Sequence, residues 1–177
     1  MKAVLRTIFS SDFFKNARFS KIKSPAEVVA GTLKLVGSFK LPEPGLVAVA
    51  SQPGYMGQSL LDPPSVEGWH TGPEWINSGS LLARVNFVAD RVSDPNLPGI
   101  KNIINSMKAA GVSTADELLD AALESMGYLE LSPETREQLI GYAKTTGNLD
   151  WNDQATAETR VGEMLALIGA TTEYQFG

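Results

Sequence analysis

The stretch Ser24-Pro25-Ala26-Glu27-Val28-Val29-Ala30-Gly31-Thr32-Leu33-Lys34-Leu35-Val36-Gly37 decides the fold class. Ser24 and Glu27, three residues apart, form a capping box, in which each side chain takes up a backbone N–H that the first helical turn leaves unpaired. Pro25 falls at the first helical position, where its fixed φ suits the helix and its missing N–H is not needed. Val28, Val29, Leu33 and Val36 then recur at helical spacing, so they share one face. Gly37 follows as a residue that readily adopts the left-handed conformation common at helix ends.

The same grammar recurs on either side. Thr71-Gly72-Pro73-Glu74 reads as a second capping box, and Leu81, Val85, Val88 and Val92 form an apolar stripe behind it, ended by Asp94-Pro95. Ile100, Ile103, Ile104 and Met107 predict a helix closed by Gly111. Ser113 and Thr114 precede Asp116 and Glu117 and open the next, with Leu118, Leu119, Ala122 and Met126 inward and Gly127 after it. Ser132-Pro133-Glu134 opens another, with Leu139, Ile140 and Ala143 inward and Gly147 beyond. The last begins near Asp153, aligns Val161, Met164, Leu165 and Ile168, and stops at Gly169. Val4, Leu5, Ile8 and Phe9 mark one face of an opening helix. Leu46-Val47-Ala48-Val49-Ala50 suits a short strand or a buried helical turn, and the turn fits its neighbours better. The expected architecture is all-α: one helical domain over residues 1–177, an irregular multi-helix bundle.

Residues 52–73 break this order. Pro53, Gly54, Gly57, Pro63, Pro64, Gly68, Gly72 and Pro73 predict a long loop without regular structure, a feature that is uncommon in compact domains and often functional. Tyr55, Met56, Trp69 and His70 lie within it and Trp75 just beyond. Side chains this large predict an ordered loop packed onto the helices rather than a solvated tether.

Composition removes several function classes. The 177 residues hold 15 Lys+Arg against 20 Asp+Glu, a net charge of −5, so the global cationic field of a nucleic-acid binder is missing. A local basic run, Lys15, Arg18, Lys21 and Lys23 with Phe14 and Phe19 interleaved, reads as a solvated face, and no nucleic-acid partner is expected. No cysteine is present, which excludes disulfides, thiolate metal sites and cysteine catalysis. A single histidine, His70, excludes any site that needs two. No Gly-rich phosphate loop or dinucleotide fingerprint occurs, so no cofactor is expected. Glu67, His70 and Glu74 have helix-like spacing on a Pro/Gly backbone that is not helical, and Asn148 to Asp153 lacks the EF-hand pattern and reads as an Asx turn before an N-cap; no metal site is expected. No apolar run approaches the ~20 residues of a membrane span, so no membrane partner is expected. The apolar stretch at the start is too short for a signal peptide and Arg6 interrupts it. A helical face that begins at once suggests a chain cut from something longer, and the compartment is open.

Three strings carry a family resemblance: Ser24-Pro25-Ala26-Glu27-Val28-Val29-Ala30-Gly31-Thr32-Leu33; Met56-Gly57-Gln58-Ser59-Leu60-Leu61-Asp62-Pro63-Pro64-Ser65-Val66-Glu67-Gly68-Trp69; and Trp75-Ile76-Asn77-Ser78-Gly79-Ser80-Leu81-Leu82-Ala83-Arg84-Val85-Asn86-Phe87. They resemble the C-terminal half of the bacterial domain of unknown function 1800 family. The segment Leu5 to Phe14 and the ending Thr172-Glu173-Tyr174-Gln175-Phe176 resemble it too, with Thr172 in place of the usual Ser-Pro. The resemblance implies a helix-rich protein, the C-terminal portion of a longer architecture or an unusually short relative, in a family whose members are often exported. It carries no agreed catalytic residues.

The densest chemistry lies in Glu67-Gly68-Trp69-His70-Thr71-Gly72-Pro73-Glu74-Trp75. Two readings stand side by side. In the first, Glu74 belongs to the capping box, Trp69 and Trp75 pin the loop, and the chain is a helical interaction or scaffold module for a protein partner or an N-terminal half. In the second, Glu67 and Glu74, with His70, are the acid–base groups of a metal-independent hydrolase acting on carbohydrate. Trp69 and Trp75 would then be sugar platforms, and Tyr55, Gln58 and Arg84 further substrate contacts.

Overall fold

The structure, a computed structural model, describes residues 1–17, 20–39, 42, 44–127 and 129–176. Arg18 and Phe19 of the basic run lie outside the described residues. In chain order the elements are α1 (Lys2–Ser10), α2 (Asp12–Asn16), α3 (Pro25–Val36), α4 (Leu46–Ala50), α5 (Gln52–Tyr55), a 3₁₀ turn (Gly72–Trp75), α6 (Ser78–Val92), α7 (Pro98–Ala109), α8 (Ala115–Met126), α9 (Pro133–Thr145), α10 (Gln154–Gly169) and α11 (Thr172–Gln175). Among the described residues there is no strand or sheet; two isolated bridges, Ile22 with Phe176 and Ser65 with Gly68, are the extended pairings. The chain is all-α.

The helices begin where the capping residues put them. At α3, Glu27 N–H donates to Ser24 Oγ at 3.3 Å and Ser24 N–H donates to Glu27 Oε2 at 2.7 Å. At α8 the same reciprocal pair joins Thr114 and Glu117. Asp153 caps α10 by accepting from Thr156 N–H at 3.3 Å, and Asp150 Oδ1 accepts from Asn152 N–H at 2.9 Å, an Asx turn leading into that cap.

The structure changes five readings. The Thr71 box opens only the 3₁₀ turn, and α6 starts afresh at Asn77, whose Oδ1 accepts from Ser80 N–H at 2.9 Å. The inward face of α6 is Ser80, Arg84, Phe87, Val88 and Val92; Leu81 is 38% exposed and Val85 half-buried, so the buried stripe is rotated by one position. Residues 52–55, expected irregular, form α5: Pro53 sits in its first turn, where proline is tolerated. Helix α4 is helical as expected, but Val49 alone among its residues is buried. Gly169 ends α10 without a left-handed φ. A Cβ there would lie 2.5 Å from Val88 Cγ1, so this glycine serves the close approach of α10 to α6.

Helix α10 is the hub. It contributes Ala157, Val161, Met164, Leu165 and Ile168 to the main core and packs on α6, α8 and α9. Helix α3 lies across α6 and α7. A smaller cluster of Val29, Val49, Met56 and Phe87 fastens α4 and the start of the irregular loop to α3 and α6. Met56 is 1% exposed, whereas residues 59–67 of the loop all face solvent. The loop is therefore packed down at its ends and exposed along its middle.

Candidate functional site

The returning end of the loop closes a cleft of about 1070 Å³. One wall is the loop and 3₁₀ turn, with Trp69, His70, Pro73, Trp75 and Ile76. The second is the extended segment before α3, with Ser20, Lys21 and Ile22, and the third is the C-terminal turn, with Thr172, Gln175 and Phe176; Leu81 of α6 also lines it. The volume slightly exceeds the roughly 300–1,000 Å³ usual for small-molecule sites.

Each wall is held by its own bonds. Trp69 Nε1 donates to Ser59 O at 2.9 Å, closing the loop on itself. Ala26 N–H donates to Gln58 Oε1 at 2.9 Å, so the loop also satisfies a spare amide at the start of α3. Ser80 Oγ donates to Trp75 O at 2.6 Å and fixes the turn to α6. The C-terminal strap is tied by Lys23 N–H to Gln175 O at 2.9 Å and by Lys23 Nζ to Tyr174 O at 2.6 Å, with that ammonium 4.5 Å from the centre of the Tyr174 ring.

Behind the strap lies Arg84, whose side chain is 0% exposed. Its Nη1 donates to Lys23 O at 2.8 Å and, at 3.5 Å, to Gln175 Oε1; Nε and Nη2 find no partner among the described residues. Burial lowers the affinity of Arg84 for its proton, and among the described residues no carboxylate pairs with it. Burial likewise lowers the Lys23 ammonium, and the nearby Glu27 offsets part of that. The hydrogen bond from Lys21, then that from the Ser24 backbone, holds the Glu27 carboxyl below its ordinary value.

The expected site residues divide. Gln58, Trp69, His70 and Trp75 line the cleft together. Trp75 is 6% exposed and Trp69 half-buried, so both indoles pin the loop while presenting part of their surface. Glu67 and Glu74 are exposed and not among the lining residues. Glu74 is engaged as a cap: its Oε2 accepts from Thr71 N–H at 3.3 Å and lies 3.4 Å from His70 Nδ1. Tyr55 does not reach the cleft; it is 71% exposed and borders a separate depression of about 480 Å³ beside α6. Arg84 supports the strap from behind. Sequence reasoning did not find Lys21, Ile22, Gln175 and Phe176, because their pairing joins residues 22 and 176 through one bridge that leaves no periodic signal.

Among the described residues no group of three or more His, Asp or Glu is placed to hold a metal ion, and no helix is long and apolar enough to cross a membrane. Neither the curated proteins nor the solved structures contain a match to this chain. One family model, described as a protein of unknown function (DUF1800), matches residues 1–176, and the chain belongs to that family.

Proposed function

We propose that this chain is a non-catalytic interaction module whose cleft receives an apolar segment of another polypeptide. One observation carries the reading: most of the large polar side chains at the cleft are already bound to the chain itself. Lys21 pairs with Glu27, Gln58 with Ala26, Trp69 with Ser59, His70 with Glu74 and Gln175 with Gly169. A sugar needs free donors and acceptors around its hydroxyls, and acid–base catalysis needs an uncommitted group at the reacting atom. An apolar peptide anchor needs contact area, which Ile22, Trp75, Ile76, Leu81 and Phe176 supply.

The test uses the intact chain and a phage-displayed random peptide library, followed by titration of selected peptides against indole fluorescence. The expected result is selection of peptides with apolar or aromatic anchors whose binding falls roughly tenfold or more in Leu81→Asp, since Leu81 is partly exposed on the cleft wall. Turnover of aryl-glycosides that disappears in Glu67→Gln and Glu74→Gln would instead establish the carbohydrate hydrolase. That reading has both indoles at the cleft in its favour.

A further inference from the structure

The opening segment presents a surface the rest of the molecule leaves uncovered. No residue of α1 is buried. On its helical wheel Val4, Leu5, Ile8 and Phe9 occupy one side and Lys2, Ala3, Arg6, Thr7 and Ser10 the other. The apolar side continues into α2, where Phe13 is 86% and Phe14 46% exposed, and the Phe9 and Phe14 rings meet edge to face with centroids 5.0 Å apart. Single exposed apolar residues are ordinary, but a contiguous stripe of this kind marks a docking surface.

Charge identifies the occupant. The first 23 residues hold six cations, Lys2, Arg6, Lys15, Arg18, Lys21 and Lys23, against Asp12 alone, a net of +5. The whole chain is −5, so the remainder carries −10. Lys21 is paired to Glu27 and Lys23 is held against Tyr174, which leaves Lys2 and Arg6 on the polar side of α1 and Lys15 on α2. Basic residues on one side of a helix with an aromatic-rich apolar stripe on the other are the pattern of helices that lie in the headgroup layer of an anionic bilayer. A second copy is the competing occupant, since its body is acidic. Its apolar cleft, however, is edged by Lys21, and Glu27, the carboxylate among the described lining residues, is already paired to that lysine, so the cleft lining offers an incoming cationic helix little charge complementarity.

We infer that α1 and α2 form a peripheral docking element for an anionic lipid surface, with Val4, Leu5, Ile8, Phe9, Phe13 and Phe14 entering the interface and Lys2, Arg6 and Lys15 at headgroup level. The chain lies on the membrane by this element.

The experiment is co-sedimentation of the full chain with vesicles of phosphatidylcholine alone, or with about one third phosphatidylglycerol. The anionic vesicles are expected to bind at least about tenfold more strongly, since each basic residue near such a surface contributes roughly a fivefold gain. Raising the salt from about 50 to 500 mM weakens that binding by screening. Val4→Asp/Ile8→Asp abolishes binding to both vesicles, and Lys2→Gln/Arg6→Gln removes roughly tenfold or more of the anionic preference. Thermal melting of both variants stays with the parent, because these side chains are not buried. Equal binding to both vesicles, no binding at low salt, or reversible self-association removed by Val4→Asp/Ile8→Asp without lipid binding would each overturn the inference.

Discussion

Replacing Gly99 by alanine probes the contact on which the α3–α7 packing rests. Gly99 is the second residue of α7, and a Cβ built there would stand 2.0 Å from Leu35 O, 2.7 Å from Val36 C and 2.9 Å from Val36 Cα. All three are backbone atoms near the end of α3, so no side chain can swing away. Restoring ordinary contact at about 3.4 Å would move α7 outward by roughly 1.4 Å, drawing Ile100, Ile103, Ile104 and Met107 from the core they share with α8 and α10. Overpacking of this kind costs about 1–3 kcal/mol, and an immovable backbone places Gly99→Ala at the top of that range or above. Alanine returns about 0.5–1 kcal/mol through the unfolded chain and helix propensity, leaving a net loss of about 2–3 kcal/mol. For a chain of this length that lowers the melting temperature by about 4–12 °C. Gly31→Ala is the internal control: Gly31 lies within α3, faces solvent and has nothing within 4 Å of its built Cβ. It should gain about 0.5–1 kcal/mol and melt a few degrees higher. Thermal and urea unfolding followed by circular dichroism read both. If the two variants shift together, or Gly99→Ala melts with the parent, the helices do not approach backbone to backbone.

Two further perturbations address the charges. Arg84→Met fills similar volume without a buried cation, so unfolding free energy in urea should stay within about 1 kcal/mol of the parent or rise, whereas Arg84→Ala should lose about 3 kcal/mol or more; a Met loss as large as the Ala loss would show that the bonds to Lys23 and Gln175 dominate. Glu27, Glu117 and Asp153 all have carboxyls held below their ordinary values, so their contribution is complete above the unfolded values near pH 4–4.5 and is lost as pH falls through the lowered folded ones. Melting temperature scanned from neutral pH downward should hold level and then fall below about pH 4.5, less steeply in Glu117→Gln; a decline already under way near pH 6 would contradict the assignment.

What could be read in advance was whatever a helix writes locally. The box at Ser24 needs a partner three residues away, and it stands in the structure as the spacing predicts; α8 likewise opens at Thr114, where the structure adds a reciprocal pair with Glu117. Errors arise where a distant partner overrides the local pattern. Leu81 outranks Arg84 on any scale of burial, yet Leu81 faces the cleft and Arg84 is enclosed, because carbonyl and amide oxygens of Lys23 and Gln175, 61 and 91 residues away, receive its guanidinium. Gly169 has the look of a helix stop but meets Val88 across the α6–α10 contact. Of the large side chains in and beside the 52–73 segment, Met56 and Trp75 are buried and Trp69 half-buried, whereas Tyr55 and His70 face solvent, a division the sequence pattern does not carry. Nor does it carry the polar bonds of Trp69 to Ser59 and Gln58 to Ala26, since neither has a sequence period.

Arg84 also explains how a cleft assembled from such separate segments keeps its shape. Its walls come from residues near 20, near 70 and near 175. Two of these segments, at 23 and 175, are joined to one another by Lys23 N–H and Gln175 O and are gripped from behind by the same guanidinium. Gln175 in turn donates to Gly169 O, tying the strap to the end of α10, the central helix of the bundle. A buried cation with two nitrogens unpartnered among the described residues is a net burden on stability, and a hydrophobic residue of similar size would pack there at lower cost. What such a residue would not do is fix the register of two extended segments whose bonding is otherwise a single bridge and a lysine. The position therefore trades stability for a defined cleft wall. Arg84→Met and the parent should differ more in peptide binding at the cleft than in resistance to urea.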